Sequence, residues 1–311
     1  MPLPRLDDFL LYLSSNNYSG ETVYNYELDL KVFELFLAKE IKLNFSDISK
    51  KNIEHFKSYL VSRDRRTSKD HETAKRLSSG SINRCLSSLR GYLKYLIEMD
   101  YQTPILPEHI KMVKTEKKHP RVSEFQELVK FIESPTTLEK DKRVALRNRT
   151  MLEVLFSTGM RISELVNLKR SHIDKSGKIF ILGKGRKERF VYLTPRAFKY
   201  LGEYLKIRDD ESPFLFIPYR GRNNQSKYKK ISTNYLQEKI KKYRELLGIS
   251  LPLSAHSLRH GFATYLAESG ANPAAIQILL GHESLDTTTR YVHASDKYAE
   301  KTHTDFHPLK K

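Results

Sequence analysis

Between Glu21 and Lys39, Val23, Tyr26, Leu30, Phe33 and Leu37 fall at helical spacing, that of one face of an amphipathic helix. Ser19-Gly20 stands ahead of them as a start signal. Ile82, Leu86, Leu89, Leu93 and Leu96 repeat the pattern from Ser81 to Met99. Between the two, Arg63 to Ser81 is polar and charged with no apolar period, which predicts an exposed loop whose Arg63, Arg65, Arg66, Lys75 and Arg76 meet solvent or a DNA backbone. Pro104, Pro107 and Pro120, interleaved with Lys111, Lys114, Lys117, Lys118 and His119, predict a solvated connector. Ser123 followed by Gln126 has capping-box spacing and predicts a new helix there.

At Lys178 the period changes. Lys178 to Leu182 and Arg189 to Leu193 are rich in β-branched and aromatic residues and flank Gly183-Lys184-Gly185-Arg186-Lys187-Glu188, which predicts a β-hairpin with a basic tip. Helices resume from about Pro195, Thr233, Ser254 and Pro273. The fold class expected is mainly α with a small β-sheet in the C-terminal domain. The expected domains are a helical one over 1–110, a linker over 111–121 and a second domain over 122–311.

Charge narrows the partner. The 311 residues carry 55 Lys and Arg against 37 Asp and Glu, a net of +18, which favours a polyanion. Residues 1–118 hold 20 basic and 16 acidic side chains and residues 119–311 hold 35 and 21, so phosphate chemistry is sought in the second half. A single cysteine, Cys85, excludes an intramolecular disulfide and a multi-cysteine zinc site, and its apolar neighbours predict a small core residue. No apolar run is long enough to span a bilayer and the N-terminus does not read as a signal peptide, so a cytoplasmic protein is expected, with no membrane partner.

Three segments carry candidate chemistry. In Ser157 to Leu165 an apolar helix ends at Gly159 and another begins just beyond, placing Arg161 at the junction with Glu164 three residues on to brace it. Taken alone, a surface arginine explains the same position. In Ser254 to His260, His256 and Arg259 share one face of a helix's first turn, with Leu258, Phe262 and Leu266 expected on the opposite, apolar side. Such a pair supplies a proton-transfer group and an oxyanion clamp; a metal site on His256 and His260 is the competing reading and lacks a third ligand at suitable spacing. In the third segment Gly281 ends an apolar helix, His282 follows, and Tyr291 comes nine residues later. Tyr291 is one of 18 tyrosines, and packing alone would account for it in isolation.

Together, Arg161 in Thr-Gly-Met-Arg-Ile-Ser-Glu-Leu, Lys184 in Gly-Lys-Gly-Arg-Lys-Glu-Arg, His256-Ser-Leu-Arg259-His, Leu-Gly281-His282 and Thr-Thr-Thr-Arg-Tyr291 resemble the catalytic motifs of the tyrosine recombinase, or phage integrase, family, nearest to its Xer-type members. The likeness in motifs covers roughly residues 122–293, and the helical first half is similar in type to the family's SAM-like core-binding domain.

The resemblance implies a site-specific recombinase in which Tyr291 attacks a phosphodiester. It implies that Arg161 and Arg259 clamp the non-bridging oxygens, His282 donates to them, His256 takes the tyrosine proton and Lys184 protonates the leaving oxygen. It implies no cofactor and no metal, and a duplex recombination site as partner, bound by a homotetramer, or a heterotetramer with a paralogue, on two duplexes. Arg84, Arg90 and Lys94, with Arg186, Lys187, Arg220 and Arg222, are the basic residues expected on DNA. The chromosomal role would be dimer resolution, or else integration and excision of a mobile element. Two other readings remain open on the sequence: a type IB-like topoisomerase, and a non-catalytic DNA-binding protein retaining the fold.

Overall fold

The computed structural model describes residues 2–62, 65–71, 76–115, 124–182, 188–221, 226, 228–251 and 253–281. The chain divides into two compact units, Met1–Lys118 and His119–Lys311.

The first unit is built on helices α1 (Leu6–Ser15), α2 (Gly20–Leu35), α3 (Lys50–Val61) and α4 (Ser79–Glu98). α2 starts where Ser19 caps it, the Ser19 Oγ accepting from the Thr22 N–H at 3.2 Å, an arrangement typically worth about 1 kcal/mol. It continues into one wide π turn, Phe36–Ile41, so the expected helix to Lys39 is present with a looser last turn. The apolar faces read from the sequence form the core: Leu30, Phe33 and Leu37 lie in one buried cluster with Leu86, Leu89, Leu93 and Leu96. Asp29 is buried in that core, and its carboxylate accepts from Ser88 Oγ at 2.9 Å and Cys85 Sγ at 3.2 Å while pairing with Arg84 at 2.9 Å. Cys85 is the core residue expected; burial, then Asp29, pushes its thiol up to about 12, so it is no nucleophile at neutral pH.

Within the Arg63 to Ser81 stretch, Arg65 and Arg66 correct the expectation of an exposed loop. Arg65 is buried, and Arg66 is held in a turn: its N–H donates to Tyr59 Oη at 2.8 Å and its guanidinium pairs with Asp70 at 3.0 Å. A hydroxyl anchor of this kind leaves no trace in hydrophobic periodicity. Arg76 is exposed, whereas Arg63 and Lys75 lie outside the described residues.

The second unit runs α5 (Phe125–Glu133), α6 (Pro135–Leu138), α7 (Lys142–Thr158), α8 (Ile162–Val166), β1 (Lys178–Leu182), β2 (Glu188–Tyr192), α9 (Pro195–Lys206), α10 (Thr233–Leu246), α11 (Ala255–Glu268) and α12 (Pro273–Leu280). α5 begins behind Glu124, one residue later than a Ser123 cap implies, and Ser123 itself lies outside the described residues. α7 is the spine: Met151, Leu152, Val154 and Leu155 are fully buried, and α9 and α11 pack along it. Its buried Arg149 and Glu153 pair with each other and with Glu133 and Arg196, tying α5, α7 and α9 together. The hairpin is antiparallel, with Ile179 opposite Val191 and Ile181 opposite Arg189. The period of two buries all four and turns Glu188, Phe190 and Tyr192 outward. The hairpin tip, 183–187, lies outside the described residues.

Gly159 ends α7 in the left-handed region at φ 61°, and a Cβ there would lie 2.4 Å from Phe262 Cδ1. Left-handed backbone costs an alanine about 1–2 kcal/mol before any clash. Gly159→Ala is therefore expected to lower stability by more than about 2 kcal/mol. Gly202→Ala, on α9 with nothing within 4 Å of its added carbon, is the control and should stabilise by up to about 1 kcal/mol. Urea unfolding of both variants checks this; equal midpoints would contradict it.

Candidate active site

Of the six expected catalytic residues, the described part of the chain contains Arg161, His256 and Arg259; Lys184, His282 and Tyr291 lie outside it. Arg161 sits at the N-terminal cap position of α8. Its backbone N–H donates to Glu164 Oε2 at 2.7 Å and its Nη1 donates to Glu164 Oε1 at 3.1 Å, so the brace expected from spacing is present. The side chain remains 39% exposed, which leaves part of its fork accessible.

Arg259, on the face expected to be polar, is 4% exposed, and Leu258 beside it is fully buried. The reason is a better site for the cation: Nη1 donates to the Gly159 carbonyl at 2.7 Å and Nη2 to the Leu280 carbonyl at 2.6 Å. These are carbonyls at the C-terminal ends of α7 and α12, where helices lack internal donors and carry partial negative charge.

His256, exposed, and His260, half-buried, sit with their Nε2 atoms 2.7 Å apart. One ring must donate and the other accept, so at least one is neutral. Partial desolvation, then the charges of Arg259 and Arg161, lowers the pKa of His256. Burial, then His256 and Arg259, takes His260 down to about 4. Both arginines act on His256, so the three expected residues share one electrostatic neighbourhood. Among the described residues no group of three or more His, Cys, Asp or Glu is arranged to hold a metal.

Sequence reasoning missed Arg189. From β2 it grips Glu164 with both ends of its fork, Nη2 to Oε2 at 2.7 Å and Nη1 to Oε1 at 3.0 Å, and its Nε donates to the Leu279 carbonyl at 3.0 Å. Burial alone would raise the pKa of Glu164, but Arg189, with the Arg161 amide and charge, holds it below the usual carboxylate range. A signal for Arg189 was present: the strand's alternation puts it on the same face as Val191, and an inward arginine requires a buried anion.

The expected DNA contacts divide between the units. In the first, Arg84 and Lys94 are exposed and Arg90 is half-buried, Arg84 being aimed by Asp29. In the second, Arg220 is exposed, 3.6 Å from Asp141, while Arg186, Lys187 and Arg222 lie outside the described residues. A cavity of about 810 Å³ is lined by Arg147, Tyr219, Arg220, Lys230, Tyr235 and Lys239 among others; none of the described catalytic candidates lines it.

The chain matches the model of the Phage integrase family over residues 121–298 and that of the Phage integrase N-terminal SAM-like domain over residues 6–99. It is 35% identical over 308 residues to the tyrosine recombinase XerC of Leptospira interrogans, covering 96% of this chain and 92% of that protein. Among solved structures it resembles a XerH site-specific recombinase bound to its difH substrate before cleavage, at 26% identity and a TM-score of 0.68 over 91% of this chain and 79% of that one. A lambda integrase tetramer bound to a Holliday junction shares the fold, with a TM-score of 0.66 at 18% identity over 90% of this chain and 76% of that one. A helical first unit, a second unit that gathers Arg161, His256 and Arg259, and this breadth of likeness agree: the chain belongs to the phage integrase family, the tyrosine site-specific recombinases.

Proposed function

We propose that this recombinase cuts and rejoins duplex DNA through a 3′-phosphotyrosyl intermediate with Tyr291 as nucleophile. The observation that carries the reading is that Arg259, one turn from His256 on α11, donates to the Gly159 carbonyl two residues ahead of Arg161. A phosphodiester under attack gathers negative charge on its non-bridging oxygens, and fixed cations stabilise that charge. Arg161 and Arg259 are that clamp, with His282 as a further donor.

His256 accepts the phenolic proton as the Tyr291 Oη–P bond forms. The P–O5′ bond breaks, and Lys184 protonates the departing oxygen to leave a 5′-hydroxyl. Attack by the 5′-hydroxyl of another strand reverses these steps, and because the ester keeps the bond energy no nucleotide cofactor is consumed. Exchange between two duplexes needs four cuts and each chain supplies one tyrosine, so four protomers act together, all copies of this chain or alternating with a paralogue. Arg84, Arg90, Lys94 and Arg220, with Arg186, Lys187 and Arg222, contact the phosphate backbone of the recombination site. The reaction takes place in the cytoplasm, on chromosome dimers or on a mobile element entering or leaving the chromosome. Among the described residues no helix is long and apolar enough to cross a membrane.

The test uses duplexes selected by binding from fragmented source-genome DNA and nicked near the scissile bond, so that the freed end diffuses away and the covalent adduct accumulates. The parent should form an adduct, and Tyr291→Phe should bind the same duplex and form none. Adduct formation by that variant would refute the nucleophile, and sequence-independent relaxation of supercoils without strand exchange would favour the topoisomerase reading. Arg161→Ala should slow adduct formation by about 10²–10³-fold; a rate near the parent's would remove it from the clamp.

His260 generates a pH dependence of stability. Its pKa is about 4 in the folded chain against 6.5 for a free histidine. The unfolded state therefore binds more protons in that window, so stability is full above the upper value and falls as the pH drops towards the lower one. The Tm of the parent should fall faster from pH 7 to 4.5 than that of His260→Gln. Parallel slopes would contradict this.

A further inference from the structure

We propose that Arg189 is a positioning residue for DNA strand cleavage, a role that rests on reading Arg161 as part of the phosphate clamp. Its side chain is 6% exposed, so it acts through the groups it holds. Glu164 holds Arg161 twice, by backbone and by guanidinium, and Arg189 holds both oxygens of Glu164. The same guanidinium takes the Leu279 carbonyl, one residue before the end of α12. Gly281 closes over it: a Cβ at that position would lie 3.1 Å from Arg189 Cδ and 3.2 Å from its Nη1, and the backbone there has φ 64°.

One cation thus fixes three parts of the site in a common register. These are strand β2, the Arg161 turn at the start of α8, and the end of α12 from which the chain continues to His282. Without Arg189, Glu164 would be a buried carboxylate deprived of its main cation, and burial would drive it to take up a proton. A protonated Glu164 holds the Arg161 guanidinium weakly, and a partly exposed arginine is then released from its cleavage geometry. Lysine cannot substitute, because a single ammonium does not span two carboxylate oxygens and a carbonyl as the planar fork does.

The experiment uses the full chain with Arg189→Met and Arg189→Lys, nicked duplexes and saturating protein. The scissile group is either an ordinary phosphate or a methylphosphonate, which replaces one charged non-bridging oxygen by a methyl group and so asks less of the clamp. Melting curves and DNA titrations accompany each rate.

Expected for the folded variants are near-parent DNA affinity, cleavage of the ordinary phosphate slower by about 10²-fold, and a much smaller deficit on the methylphosphonate. A deficit equal on both substrates, or one that follows the loss of DNA affinity or of folded protein, would make Arg189 a packing residue and overturn the proposal. Should Arg189→Met not fold, Arg189→Lys, which keeps the charge beside Glu164, decides by the same comparison. A parent that forms no adduct overturns the clamp reading itself; a parent that cleaves beside variants that cleave equally fast overturns only the role of Arg189.

Discussion

Arg259 buries a guanidinium where the C-terminal ends of α7 and α12 meet, donating to Gly159 on one and Leu280 on the other. A buried cation costs several kcal/mol unless its donors are satisfied, and the last carbonyls of a helix lack internal donors. Each therefore removes the other's penalty. The arrangement also fixes distances the chemistry needs, since Arg161 lies two residues beyond Gly159 and the chain enters its last segment one residue beyond Leu280. Gly159 permits the approach because it has no Cβ: Phe262, one turn along α11 from Arg259, occupies the space a methyl group would take.

Burial first, and then nearby positive charge, lowers the pKa of both histidines. Two guanidinium groups near His256 favour its neutral form, the form able to accept a proton from a phenol. On the proposed roles, the same positive field is of the sign that stabilises a phenolate and a phosphorane oxygen. A phosphodiester held between the arginines adds negative charge and offsets part of their effect on the ring.

Much of this was legible in the chain. The long helices, the hairpin strands and the starts of α9, α10, α11 and α12 follow from periodicity and punctuation, because burial of one face imposes its own spacing. Gly159 and Gly281, read as helix ends, take up the positive φ that those ends require. What escaped was of another kind. Arg65 is buried in a stretch without apolar period, beside Arg66, which Tyr59 and Asp70 hold. Arg259 stands in a first turn that looks amphipathic, yet the carbonyls that bury it come from residues 100 and 21 positions away. Polar partners at long range carry no period, so a local reading gave the face of Arg259 but not the carbonyls that hold it. Arg189 was the more readable of the two, as an arginine on the inward register of a strand, and Glu164 was at hand to receive it.

Exposure separates the arginines of the second unit by task. Arg149, Arg189 and Arg208 are almost wholly buried, and each is paired with a carboxylate: Glu153, Glu164 and Asp210. Such pairs cancel, so they contribute nothing to the charge excess of residues 119–311 and little to the field felt by approaching DNA. The exposed cations, Arg220 and Lys230 among them, are the ones whose field reaches solvent, and such a field weakens as salt rises. Arg161 stands between these classes, held by a buried carboxylate on one side and accessible on the other.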